Sequence, residues 1–243
     1  MPENLGKEQL NRDPLNNDQL KEFVFNLGAD EFGVADLAPV REHLLREYGE
    51  VWEDYPFAVS IGAHLPFDVV EQLTDGPTRP YLTCYDTLNA RLNDIALRLS
   101  AKLAKSGYRA FPIPASQRMG EDKLAAIFSH RMAARLAGLG WIGKSANLIN
   151  PQAGPCLRLS TVLTDAPLLP DRPAKGGCGS CTACKDICPA NAIKGNEFDP
   201  AVGVSGLLDV FACDEYLGEI RHVFGKRICG RCLAACPFGK RRR

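Results

Sequence analysis

The 243-residue sequence has no net formal charge, with 29 Lys and Arg against 29 Asp and Glu. A balanced chain lacks the uniform positive field that draws polyanions, so nucleic acid is an unlikely partner on this ground. No apolar run approaches the ~20 residues of a membrane span, and no membrane segment is expected. Met1 is not followed by a charged-then-apolar signal segment or a twin-arginine leader, so export is not expected either. Histidine is scarce, at four residues, and so are Trp at two and Met at three. The apolar share of 45% nevertheless supports a sizeable core and argues against disorder away from the ends. The length suits one large domain, or a large and a small one.

Cysteine is what the chain has in excess, with ten residues. Cys178-Gly-Ser-Cys181-Thr-Ala-Cys184-Lys-Asp-Ile-Cys188-Pro189 is a C-x2-C-x2-C-x3-C-P run, the bacterial ferredoxin pattern. Cys213 and then Cys229-Gly-Arg-Cys232-Leu-Ala-Ala-Cys236-Pro237 answer it near the C-terminus. In that pattern the fourth cysteine serves the other cluster, so the two half-motifs interlock. The assignment is one 4Fe-4S cluster on Cys178, Cys181, Cys184 and Cys236, and another on Cys188, Cys213, Cys229 and Cys232. Soft thiolates are the ligands such clusters need. The competing reading is structural zinc, which C-x2-C pairs also suit, but the doubled run with its prolines is hard to reach by that route. Cluster-bearing thiols with no export signal place the chain in a reducing compartment, the cytoplasm. Cys84 and Cys156 fall outside the set and read as small buried apolar residues.

Charge is uneven along the chain. From Arg221 onward every charge is basic, ending in Lys240-Arg241-Arg242-Arg243. This reads as a solvated tail, or as a docking patch for an acidic electron donor or a phosphate backbone.

Taken in order, residues 1–17 carry no period and read as a loose arm. A helix is expected over Asp18–Leu27 with Asp18 as cap and Gly28 as stop. Strands are expected at Phe32–Asp36, Phe57–Ala63, Tyr108–Ile113 and Cys156–Thr164, and helices at Val40–Tyr48, Tyr81–Ser106 and Asp122–Leu136. Residues 71–80 read as a loop. Pro167, Pro170 and Pro173 mark a linker. The expected architecture is an α/β domain over residues 18–170 and a ferredoxin-like double-cluster domain over 171–239, followed by the basic tail at 240–243.

Gly138-Leu-Gly-Trp-Ile-Gly143-Lys144-Ser145 matches the phosphate-binding loop pattern G-x-x-x-x-G-K-[ST] by letter. That loop needs a strand before it and a helix after it. Here a helix precedes and a strand follows, so nucleotide binding is not supported. The alternative is a tight turn in which Gly138, Gly140 and Gly143 let backbone approach something flat or bulky. Trp141 would offer an apolar face and Lys144 a cation, with core packing the plainer reading for Trp141.

The Ala137–Lys144 turn, the strand ending Val162-Leu-Thr-Asp165, the Leu27–Asp36 stretch and the doubled cysteine run together resemble the epoxyqueuosine reductase family. The resemblance covers roughly residues 20–239. It implies a nitroreductase-like α/β domain that holds cobalamin, fused to a two-cluster domain, as also in reductive dehalogenases. Electrons from a ferredoxin- or flavodoxin-type donor would pass through the clusters to reduce an unidentified small molecule. The tRNA-modifying members continue into a helical-repeat domain, whereas this sequence stops at Arg243. Their acidic proton donor aligns near Lys123, with Asp122 adjacent. No D-x-H-x-x-G histidine-ligation stretch is present. Candidate proton donors are then His130, an imidazole able to titrate near neutral pH, and Asp122. Tyr85, Gln117 and Arg118 are candidates for holding substrate or a corrin amide. A different class of function also fits: a non-catalytic protein that delivers low-potential electrons to a partner's cofactor.

Overall fold

The computed structural model describes residues 14–48, 54–116 and 127–239, apart from the side chains of residues 47, 48 and 239. Gln117, Arg118 and Asp122, the arm before residue 14 and the tail at 240–243 lie outside the described residues.

Helix α1 (Asn17–Asn26) is capped by Asn16, whose side-chain oxygen accepts from the Asp18 N–H at 2.8 Å. The cap therefore precedes the Asp18 expected from sequence. Leu20 and Val24 are buried on its inner face. Strands β1 (Glu31–Asp36), β2 (Phe57–His64), β3 (Ala110–Ile113) and β6 (Leu157–Thr164) form one sheet in the order β1-β2-β6-β3. Every pair is antiparallel. The fold is mixed α/β, as the alternation of elements implied.

β2 is buried along its length except at its two ends, because both faces of the sheet are covered. On one face α1 and α4 (Arg79–Lys105) pack Leu20, Val24, Leu92, Ile95, Leu99 and Leu103 against Val59, Ile61 and Val162. On the other, α2 (Arg41–Tyr48) and α5 (His130–Leu136) pack Leu44, Ala133, Ala134 and Leu136 against Ala58 and Leu163. Each fully buried Leu or Ile of α4 contributes about 1.5–3 kcal/mol relative to an exposed one.

Two helix starts differ from the sequence expectation. α4 begins at Arg79, capped by the Thr78 hydroxyl, which accepts from the Tyr81 N–H at 3.3 Å. Pro80 sits in its first turn, where a missing N–H costs nothing. The helix expected from Asp122 is described only from His130, with Ser129 as its cap. A four-residue α3 (Phe67–Val70) was not foreseen.

The linker is tied to the sheet before the cysteine segment begins. Asn17 and Leu169 exchange hydrogen bonds, Nδ2 to carbonyl at 2.7 Å and amide to Oδ1 at 3.3 Å. Asp171 donates its N–H to Val34 O at 2.8 Å and accepts the Val34 N–H on Oδ2 at 2.8 Å. The cysteine segment carries α6 (Ala183–Asp186), α7 (Val210–Phe224) and α8 (Arg231–Ala234). Lys226 pairs with Asp86 on α4, and the Arg79 guanidinium lies 5.2 Å from the Phe224 ring centroid.

Gly33 on β1 receives the end of α5. A Cβ at this position would stand 2.3 Å from the Ala137 carbonyl oxygen, a backbone atom that cannot move aside cheaply. Gly33→Ala is expected to lower stability by about 1–3 kcal/mol, read as a fall in Tm; an unchanged Tm would refute this packing.

Candidate functional site

The cysteine-run thiols lie close enough to raise one another's pKa. The Cys184 thiol is raised by burial and then by Cys178 and Cys181. Burial pushes Cys213 up to about 11, with Cys188 and Cys229 adding to it. Cys232 is pushed up to about 12 by burial, followed by Cys229, Cys213, Cys184 and Cys188. Cys229 is also raised by burial, while the Arg231 amide and guanidinium oppose the shift. Cys236 packs with Trp141 and Ile149, and its charge is felt by the buried Cys156. Among the described residues no three His, Cys, Asp or Glu side chains converge closely enough to hold one metal ion.

Between the thiols and the sheet lies a hairpin of β4 (Trp141–Ile142) and β5 (Leu148–Ile149). It is built from the stretch that imitates a phosphate loop, and the observed order is helix, turn, hairpin. The turn faces the protein itself. Cβ atoms would stand 2.7 Å from the Arg172 carbonyl at Gly138, 2.2 Å from the Ile149 carbonyl at Gly140, and 3.3 Å from Cys178 Sγ at Gly143. Trp141 is buried against Gly176 and edge-on to Phe238 at 5.0 Å between centroids. Lys144, also buried, donates to the carbonyls of Gly179 (2.6 Å) and Cys181 (3.1 Å). The cation expected to meet a ligand instead fixes the first cysteine loop. Of the turn residues, Gly138, Trp141, Gly143 and Lys144 thus face the cysteine segment and its linker, while Gly140 closes against Ile149 inside the hairpin.

The opposite side of the hairpin opens onto a cleft of about 820 Å³, within the ~300–1,000 Å³ range of small-molecule sites. Ile142, Ala146, Asn147 and Leu148 form its floor, and Leu157 and Leu159 of β6 continue it. Phe128 and Met132 close one side, and Phe198 and Val204 from the cysteine segment close another. Its charged lining is mostly cationic, with Arg46, Arg131, Arg135 and Arg158 beside Glu42.

His130 lines this cleft, but not as a group that titrates near neutrality. Its Nδ1 lies 2.8 Å from the Thr161 hydroxyl and its Nε2 lies 3.1 Å from the Pro114 carbonyl. A carbonyl can only accept, so Nε2 carries the proton and Nδ1 accepts from Thr161. Burial lowers the pKa to about 4, against a smaller opposing effect of the Pro114 hydrogen bond. The neutral ring anchors the end of β3 to β6. The expected proton donor is replaced by a positioning group. Tyr85 lies outside the cleft lining; its hydroxyl donates to Ser116 Oγ at 3.1 Å, and the Arg158 guanidinium stacks 4.2 Å from its ring centroid.

No family model matches the chain. An epoxyqueuosine reductase of Bacillus anthracis is 38% identical over 117 residues, 46% of this chain and 30% of that protein. One of Aliivibrio fischeri is 30% identical over 182 residues, 68% of this chain and 44% of that protein. The chain is homologous to the epoxyqueuosine reductases. It spans less than half the length of these curated relatives. Among solved structures, a catabolic reductive dehalogenase superposes with a TM-score of 0.71 at 24% identity, covering 97% of this chain and 33% of that one. A selenomethionine-labelled epoxyqueuosine reductase gives 0.60 at 21%, covering 92% and 65%. These likenesses show a shared fold. One epoxyqueuosine reductase structure holds an epoxyqueuosine-modified tRNA stem loop. The argument against nucleic acid from zero net charge is therefore not supported by the relatives.

Sequence reasoning missed Arg158 and Asn147. Arg158 gave no signal beyond its place on a strand; it gains meaning only from Asn89, whose Oδ1 accepts from Arg158 Nε at 2.9 Å, and from Ser116. Asn147 gave no signal in the sequence; it gains meaning only from Ser145 and Cys232, which its amide meets in the fold.

Two outcomes follow. Lys144→Ala strips a charged donor from two carbonyls and is expected to cost about 1.5–3 kcal/mol, read by denaturant unfolding. For His130, the folded pKa lies below the unfolded value of 6.5, so its contribution is complete above pH 6.5 and is lost as pH falls from there through about 4. His130→Gln should remove on the order of 2–3 kcal/mol of the stability lost between pH 7 and 4. An identical pH–stability slope in the variant would refute the neutral assignment.

Proposed function

We propose that the chain is an iron–sulfur reductase that carries electrons through two 4Fe-4S clusters to a ligand in the cleft. The carrying observation is the hairpin, which has cluster-motif thiols on one side and a small-molecule cleft on the other. Cys178, Cys181, Cys184 and Cys236 would hold one cluster; Cys188, Cys213, Cys229 and Cys232 would hold the other, in a ferredoxin-like segment. Two buried donors test the fit. Trp141 Nε1 and Arg231 Nε have no hydrogen-bond partner among the described residues. Trp141 packs on Cys236, and Arg231 lies between Cys229 and Cys232. An unpaired buried donor costs about 1–3 kcal/mol, and sulfur-rich clusters supply acceptors for both. Bound clusters would supply single electrons at low potential.

Homology to the epoxyqueuosine reductases supports cobalamin as the ligand of the cleft. Ile142, Leu148, Leu157 and Leu159 offer an apolar wall for a macrocycle, and Arg131, Arg135 and Arg158 offer cations for its phosphate. When bound, cobalamin supplies a reducible cobalt for a two-electron reduction. The chain's own part is to exclude water with Phe128 and Met132 and to hold the neutral His130 ring at the wall. A ferredoxin- or flavodoxin-type protein would deliver the electrons.

A non-catalytic electron-delivery protein is the second reading. It is favoured by α7, which buries no residue fully and leaves Phe211 and Val223 exposed at 74% and 66%.

Anaerobic reconstitution with iron, sulfide and cobalamin separates these readings. The expected product holds about eight irons per chain and one corrinoid, and Cys213→Ser is expected to drop to about four irons. Eight irons without corrinoid would leave the electron carrier, and zinc in place of iron would refute both.

A further inference from the structure

The hairpin contains one side chain that touches both of its sides. Asn147 lines the cleft, and its Nδ2 lies 3.6 Å from Cys232 Sγ. The same nitrogen donates to Ser145 Oγ at 3.1 Å, with the Ser145 carbonyl at 3.5 Å. A primary amide has two N–H groups. Ser145, itself buried, orients one of them, which aims the other at the sulfur. The turn beneath is tightly held: the Gly143 N–H donates to the Asn147 carbonyl at 2.9 Å, and the Ala146 N–H donates to Gly143 O at 2.8 Å. Arg131 donates to the Ala146 carbonyl from the cleft side, and Ala146 keeps the left-handed φ of +57° that closes the turn.

Hydrogen bonds to cluster sulfurs set reduction potential, because a donor favours the reduced, more negative state. We propose that Asn147 is a positioning residue that raises the potential of the cluster on Cys188, Cys213, Cys229 and Cys232. The inference rests on the two-cluster reading above. Asparagine suits the position for two reasons. Aspartate would put a like charge beside the thiolate, and leucine would match the shape without donating.

The test is a redox titration of the reconstituted full chain with dithionite, followed by electron paramagnetic resonance of both clusters. Asn147→Leu is expected to move one midpoint to lower potential and leave the other in place. Asn147→Asp should move the same midpoint further, and Asn147→Gln, which keeps the amide, should restore part of the shift. Full iron content with both midpoints unmoved in the Leu and Asp variants overturns the inference and leaves the cluster reading intact. A shift confined to the Cys178-side cluster, identified by its loss in Cys178→Ser, overturns it too. So does loss of iron in all three Asn147 variants, which would assign the residue a purely structural part. A parent chain that takes up no iron overturns the cluster reading itself, and this inference with it.

Discussion

The site depends on how closely one backbone turn can approach its neighbours. At Gly140 the Ile149 carbonyl occupies the place a Cβ would need, and at Gly143 the Ile149 side chain and Cys178 Sγ do so. A side chain at Gly140 would part the strands of the β4–β5 hairpin, and one at Gly143 would also push the hairpin off Cys178. Lys144 can reach the Gly179 and Cys181 carbonyls only because the turn lies so near. Trp141 can fill the gap behind it only because Gly176 offers no side chain. A thin partition results, one hairpin thick, between the thiols and the cleft. Electron transfer favours short separations, so a wall made from two short strands suits the proposed role.

Much of this organisation was legible in the sequence, and the limits of that reading are physical. The four sheet strands announced themselves by β-branched and apolar runs, and α4 by its leucine period. The cysteine run carried its chemistry in local spacing, since thiols a few residues apart must lie near one another. The turn at Gly138–Lys144 was recognisable as a close approach, but not what it approached. Lys144 meets carbonyls 35 and 37 residues further on, a contact set by tertiary packing alone. His130 shows the same limit. Its helix position suggested a titrating imidazole, whereas its state is decided by Thr161 on β6 and by Pro114 just past the end of β3.

The cleft adds a feature that no single stretch encodes. Its wall takes residues from α2, α5, β6, the hairpin and the segment around Phe198–Val210. Both halves of the chain are therefore needed to form it, and ligand binding there would report on their association. The ties between Lys226 and Asp86 and between Arg79 and Phe224 act on the same seam.

The pairing of Asp171 with Val34 has a consequence for solubility. β1 is an outer strand of the sheet, and an outer strand presents unpaired amides and carbonyls that invite pairing with another chain. By taking both the Val34 N–H and its carbonyl, the linker removes the middle of that strand from such pairing. On the far side, Pro112 in β3 has no N–H to offer. The stretch that leads to the cysteines thus doubles as a guard against edge-to-edge aggregation, and separating it from the sheet would leave a sticky margin as well as an incomplete site.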